Sequence, residues 1–127
     1  MKYSIDKQEK YTVLRLNEEK LDTHLAPQLK SEFVTLHAEG VKNIILDLSE
    51  VKYTDSSGLS ALLVGNRTIR QNGGLFVLCC MSDHVMKLIK ISQLDGVLSI
   101  LPTVQEAIDT VLMTEIEDDL KSEDQDG

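Results

Sequence analysis

Apolar residues along this chain fall into short blocks that follow two different rhythms. Tyr3 to Lys7 and Tyr11 to Leu16 are brief runs with β-branched or aromatic residues, separated by the polar QEK, and they predict a β-hairpin or paired edge. Leu25, Leu29, Phe33 and Leu36 then recur at helical spacing, predicting a helix from Asp22 or Thr23 that tolerates Pro27 in its first turn and stops at Gly40. The run IILDL, Ile44 to Leu48, has the pattern of a strand covered on both faces. A second helix carries Leu59, Leu62, Leu63 and Ile69 and ends at Gly73 and Gly74. LFVLCC follows as another buried strand, after which Ser82 or Asp83 caps a helix bearing Val85, Leu88 and Ile89. Val97 to Leu101 is a last short strand before Pro102. The final helix is the best marked, because Thr103 and Glu106 match a capping box ahead of Val104, Ala107, Ile108, Val111 and Leu112.

Strands alternating with helices predict a single α/β domain, with a four- or five-stranded, mostly parallel sheet and four helices. The expected core is Val13, Phe33, Ile45, Leu46, Leu62, Val77, Leu88, Ile108 and Val111. At 127 residues the chain is long enough to bury such a core without disulfide or metal staples.

Charge adds a boundary. With 13 basic and 21 acidic residues the formal charge is −8, which disfavours nucleic-acid ligands, since these require clustered positive charge. Glu115 to Gly127 holds −6 of that total, so residues 1–114 are expected to form the domain and 115–127 an acidic, disordered tail. MKYSIDKQEK lacks the apolar core of a signal peptide, and no apolar run approaches the roughly 18 to 20 residues that span a bilayer. A cytoplasmic location is expected. Cys79 and Cys80 are adjacent; a strand would point them to opposite faces, and without a metal-ligand spacing they read as buried free thiols.

The chemically rich turn is TDSSG, Thr54 to Gly58, at a helix start where free N–H groups and the helix dipole favour negative charge. Asp55 and the serines are ordinary caps on one reading, and Gly58, which weakens a helix by about 1 kcal/mol relative to Ala, calls for a structural or functional reason, of which close approach by a partner is one candidate. A nucleophilic serine is a second reading, but G-x-S-x-G is missing and His24, His37 and His84 fall in no triad context. A phosphate acceptor is the third: the helix start accommodates the added charge, and a dianion there opposes docking of a partner.

The run IILDLSEVKYTDSSGLSALL, followed by QNGG, LFVLCCMSDHVMKLIKISQLDGVLSIL and a capped helix, resembles the STAS domain, and within it the stand-alone anti-sigma factor antagonists. The resemblance spans about Tyr3 to Leu112, and its most specific part is Asp55-Ser56-Ser57-Gly58-Leu59. It implies partner switching. The unmodified antagonist binds an anti-sigma factor that is also a serine kinase; phosphorylation, at the position of Ser57, ends binding; a serine phosphatase restores it. By the same resemblance Asp55, Ser56, Gly58 and Leu59 are partner-binding, with Asn66 and Arg67 extending the contact surface. No catalytic activity, cofactor or metal is implied. The alternatives are a STAS subunit of a stressosome or of a lipid or anion transporter, and then a small serine hydrolase. A receiver domain is disfavoured because Leu101, not Lys, precedes Pro102. The sequence departs from the family in LNEEKLD, Leu16 to Asp22, where members commonly carry a Gly before Leu-Asp.

Overall fold

Two fully buried runs set the architecture. IILD and FVLC form β4 (Ile44–Asp47) and β6 (Phe76–Cys79), and every residue of both is buried in the computed structural model, which describes residues 1–126 and side chains through residue 122. Strands so apolar on both sides need helices on both faces. They form the middle of a five-stranded sheet of order β1-β2-β4-β6-β7, with β1 (Tyr3–Lys7), β2 (Thr12–Leu16) and β7 (Ser99–Leu101) completing it. The expected hairpin is present, since β1 pairs antiparallel with β2 while the other ladders are parallel.

Register sorts the core into two layers. Leu14, Leu46 and Leu78 are successive partners across the sheet, as are Val13, Ile45 and Val77 one residue earlier on the other face. The first row packs under α1 (Ala26–Ala38), α2 (Ser56–Gln71) and α3 (Asp83–Ile91), through Phe33, Leu62 and Ile89 among others. The second is covered by α4 (Val104–Asp126) alone, through Ala107 and Val111. The expected core is buried at Phe33, Ile45, Leu46, Leu62, Val77 and Val111. Val13, Leu88 and Ile108 are half-buried, Val13 and Ile108 at the margin of the layer under α4. One glycine also belongs to the core. A Cβ on Gly65 would lie 2.7–2.8 Å from the rings of Phe33 and Phe76, which meet edge to face at 5.2 Å between centroids.

Ser82 and Thr103 cap α3 and α4 as their spacing predicts, with side-chain oxygens accepting from the Val85 and Glu106 N–H groups. Elsewhere the structure corrects the sequence reading. The first helix begins at Ala26, and residues 22–25 form a turn in which Asp22 accepts from the His24 and Ala26 N–H groups. A second, two-stranded parallel sheet joins β3 (Lys20–Leu21) to β5 (Tyr53–Thr54). The boundary at residue 114 falls inside α4, which continues to Asp126 in place of the expected disordered tail. Glu115 explains part of this: it accepts from Asn43 Nδ2 at 2.7 Å and pairs with Lys42 at 3.1 Å, tying the helix to the start of β4. Beyond it Ile116 and Leu120 keep the helical spacing of Leu112 but are exposed. The chain's last residue, Gly127, lies outside the described residues. Finally, Cys80 is not a strand residue: its φ of +64° ends β6, and both thiols lie beside Asp47.

Candidate functional site

The small sheet builds the site. Leu21 and Thr54 are partners in the β3–β5 ladder, and the Asp55 N–H donates to the Leu21 carbonyl, so the turn after β3 lies against the start of α2. Asp55 is the N-cap, extended at φ −106°, and its carboxylate accepts from the Gly58 N–H at 2.9 Å. Its other oxygen accepts from both the N–H and the hydroxyl of Thr23, each at 3.2 Å. The same Thr23 hydroxyl lies 3.2 Å from Ser57 Oγ. The Gly58 N–H first, and the Thr23 groups after it, hold the Asp55 carboxyl below its ordinary range. Asp55 is therefore a fixed negative charge at neutral pH.

The motif residues divide by exposure. Ser56 is exposed, while Ser57 and Leu59 are half-buried, so the Ser57 hydroxyl stands at the surface between Thr23 and solvent. Gly58 is buried, and the approach it permits is internal: a Cβ would fall 2.2 Å from Thr54 Oγ1 and 2.3 Å from the Leu21 carbonyl oxygen. It seats α2 on the small sheet instead of offering a contact surface, which revises its expected role. Asn66 is likewise buried, accepting from Arg70 Nε at 3.0 Å, whereas Arg67 is exposed. Of the two residues expected to extend a contact surface along α2, Arg67 is therefore exposed and Asn66 is not.

Two further residues belong to this neighbourhood. Thr23 is contributed by a segment 34 residues away, joined to Ser57 only through a two-residue strand too short to leave a periodic signal. Tyr53 and His84, both exposed, stack with ring centroids 6.4 Å apart just before Asp55. A shallow cleft lined by Asn17, Glu18, Asp22, His24 and Gln28 opens beside Thr23, formed largely by the segment that departs from the family pattern. Among the described residues one set of metal-ligating groups, Asp47, Cys79 and Cys80, lies apart from this site, toward α4. No helix of the described residues is long and apolar enough to cross a membrane.

Comparison with known proteins gives a consistent account. BtrV of Bordetella bronchiseptica, a candidate anti-sigma factor antagonist, is 36% identical over 77 residues, which cover 61% of this chain and 64% of BtrV. The chain therefore matches slightly less than two thirds of that relative's length. The anti-sigma-B factor antagonist of Listeria monocytogenes is 29% identical over 80 residues, 63% of this chain and 70% of its own. Among solved structures, the anti-sigma factor antagonist SpoIIAA superposes in its unphosphorylated form with a TM-score of 0.68 at 26% identity, covering 87% of this chain and 97% of that one. Its phosphorylated form, from Bacillus, gives 0.66 at 27% identity, covering 87% and 99%. The STAS domain profile matches residues 2–107, from the first strand into α4. The chain belongs to the STAS domain family, and its relatives are anti-sigma factor antagonists.

Proposed function

We propose that this chain is an anti-sigma factor antagonist that works by partner switching, with Ser57 as the switch. Unmodified, it binds an anti-sigma factor that is also a serine kinase. Phosphorylated on Ser57, it is released, and a serine phosphatase returns it to the binding form. The observation that carries this reading is the position of Ser57 Oγ at the surface end of α2, beside a carboxylate already charged. A phosphate adds about −1.5 to −2 charges and three acceptor oxygens at that point. The core is untouched, because Ser57 packs on Thr23 and not on the apolar layers. A docked partner, by contrast, has to bury or face a hydrated dianion next to Asp55, and each ~1.4 kcal/mol of that cost lowers affinity tenfold. The neighbour of the Ser57 hydroxyl is another hydroxyl, so the arrangement is that of an acceptor and not of a base-activated nucleophile. Solved relatives in unphosphorylated and phosphorylated form support the same direction.

The test is incubation with the cognate kinase and ATP. Label is expected on Ser57 and absent from Ser57→Ala, and the phosphorylated protein is expected to lose affinity for the kinase. Phosphorylated protein that binds as well as unmodified protein overturns the proposal.

A further inference from the structure

A second cluster of reactive groups lies across the sheet from α2. Asp47 and Cys79 are partners in the parallel β4–β6 ladder, so their side chains stand side by side on the face that α4 covers. A regular strand would carry the next residue to the opposite face. Cys80 instead takes a left-handed backbone, φ +64°, which turns its sulfur back toward its neighbour. As a result a carboxylate oxygen of Asp47 and the Sγ atoms of Cys79 and Cys80 all lie within 4.8 Å of one another. Asp47 and Cys79 are buried, and Cys80 is half-buried, leaving access from its side. The Val104 N–H, in the first turn of α4, points at the Cys80 sulfur, adding the positive end of a long helix.

We infer that Asp47, Cys79 and Cys80 form a binding site for a thiophilic divalent ion, of which Zn2+ is the physiological example, with water as the fourth ligand. Two sulfurs and one carboxylate oxygen are a tetrahedral donor set suited to Zn2+, and they exclude Mg2+ and Ca2+, which take oxygen ligands. Metal–sulfur and metal–oxygen bonds of about 2.3 and 2.0–2.2 Å require donors roughly 3.5–3.8 Å apart. From a greatest separation of 4.8 Å, the donors close by about 1 Å, within reach of small side-chain rotations. In the metal-free protein burial keeps both thiols protonated, and the nearby Asp47 adds to it. Binding therefore releases both thiol protons to solvent. Two thiolates, a carboxylate and the ion leave one net negative charge, placed against the N–H groups that open α4.

The competing role for these groups is plain packing, with Asp47 satisfied by the Ser49 N–H at 2.9 Å and by the Cys80 thiol. Titration of the reduced, tag-free full chain with Co2+ separates the two. One equivalent is expected to give a thiolate-to-cobalt charge-transfer band, which Zn2+ then abolishes by displacement. Zn2+ is also expected to shield both cysteines from alkylation and to raise the melting temperature. Cys80→Ser, at a half-exposed position that spares the β6 ladder, should weaken Zn2+ by more than the roughly 10–100-fold typical of outer-shell changes. Asp47→Asn should weaken it as well. Absence of the charge-transfer band, or a band and affinity unchanged in Cys80→Ser, overturns the inference.

Discussion

The Thr23 hydroxyl lies 3.2 Å from Ser57 Oγ and 3.2 Å from the Asp55 carboxylate, so one side chain from the turn before α1 touches both the capping carboxylate and the serine at the start of α2. Thr23→Val removes the hydroxyl and keeps the shape. The expected cost in stability is about 0.5–1.5 kcal/mol, the net worth of an ordinary hydrogen bond. The rate of Ser57 phosphorylation by a cognate kinase is expected to change more than stability does. Chemical denaturation and a phosphorylation time course measure the two effects.

Gly58 and Gly65 give a second prediction. Alanine at either position drives a methyl group into fixed neighbours: the Leu21 backbone and Thr54 for Gly58, two aromatic rings for Gly65. Each substitution is expected to destabilise by about 1–3 kcal/mol through overpacking. Gly58→Ala is expected in addition to disturb the Asp55–Thr23 contacts, visible as shifted amide resonances around Thr23, whereas Gly65→Ala leaves them unchanged.

Asn43 is the third. It is buried, donates to the Lys10 carbonyl at 2.9 Å and to Glu115 at 2.7 Å, and accepts from the Leu75 N–H at 2.8 Å. Asn43→Ala strands those partners beside the sheet. A loss of at least about 1–3 kcal/mol is expected, the cost of leaving one buried polar group unpaired. Fraying of the end of α4 should accompany it, measurable as faster hydrogen exchange after Glu115.

Acid stability follows from two carboxyls. Asp55 is held below its ordinary 3.8, chiefly by the Gly58 N–H, and Glu115 below 4.5, chiefly by the Asn43 amide with Lys42 behind it. A depressed folded-state pKa contributes stability that is complete above the unfolded value and is lost as pH falls through the folded one. Asp55→Asn and Glu115→Gln are each expected to narrow the stability difference from wild type as pH drops below 3.8 and 4.5 respectively. Melting curves across acid pH check the sign: a gap that widens on acidification contradicts it.

Much of this fold is visible in residue order because its signals are local. The capping box at Thr103, the apolar runs of β4 and β6 and the spacing of Leu29, Phe33 and Leu36 each need only a few neighbouring residues to be recognised. What stayed hidden depends on contacts distant in sequence. Leu21 and Thr54 pair over two residues, too few for any periodicity, yet that pairing brings Thr23 to Ser57. Gly58 in a first helical turn signals that something requires it, but what requires it is the Leu21 backbone and Thr54, distant in sequence. The acidic composition of residues 115–122 outweighed their helical spacing, because the Asn43–Glu115 bond that anchors them joins residues 72 apart. At Cys80 a single backbone torsion, unmarked by glycine, reverses the direction of a thiol.

The β3–β5 ladder gives the segment before α1 direct control over the surroundings of a serine on another element. Of residues 16–21, which precede Asp22, Leu16 and Leu21 are buried, Glu18 is half-buried, and Asn17, Glu19 and Lys20 are exposed. Selection can therefore rewrite that segment from one relative to the next, reshaping what a visiting protein meets around the hydroxyl, while the helix bearing it stays as it is.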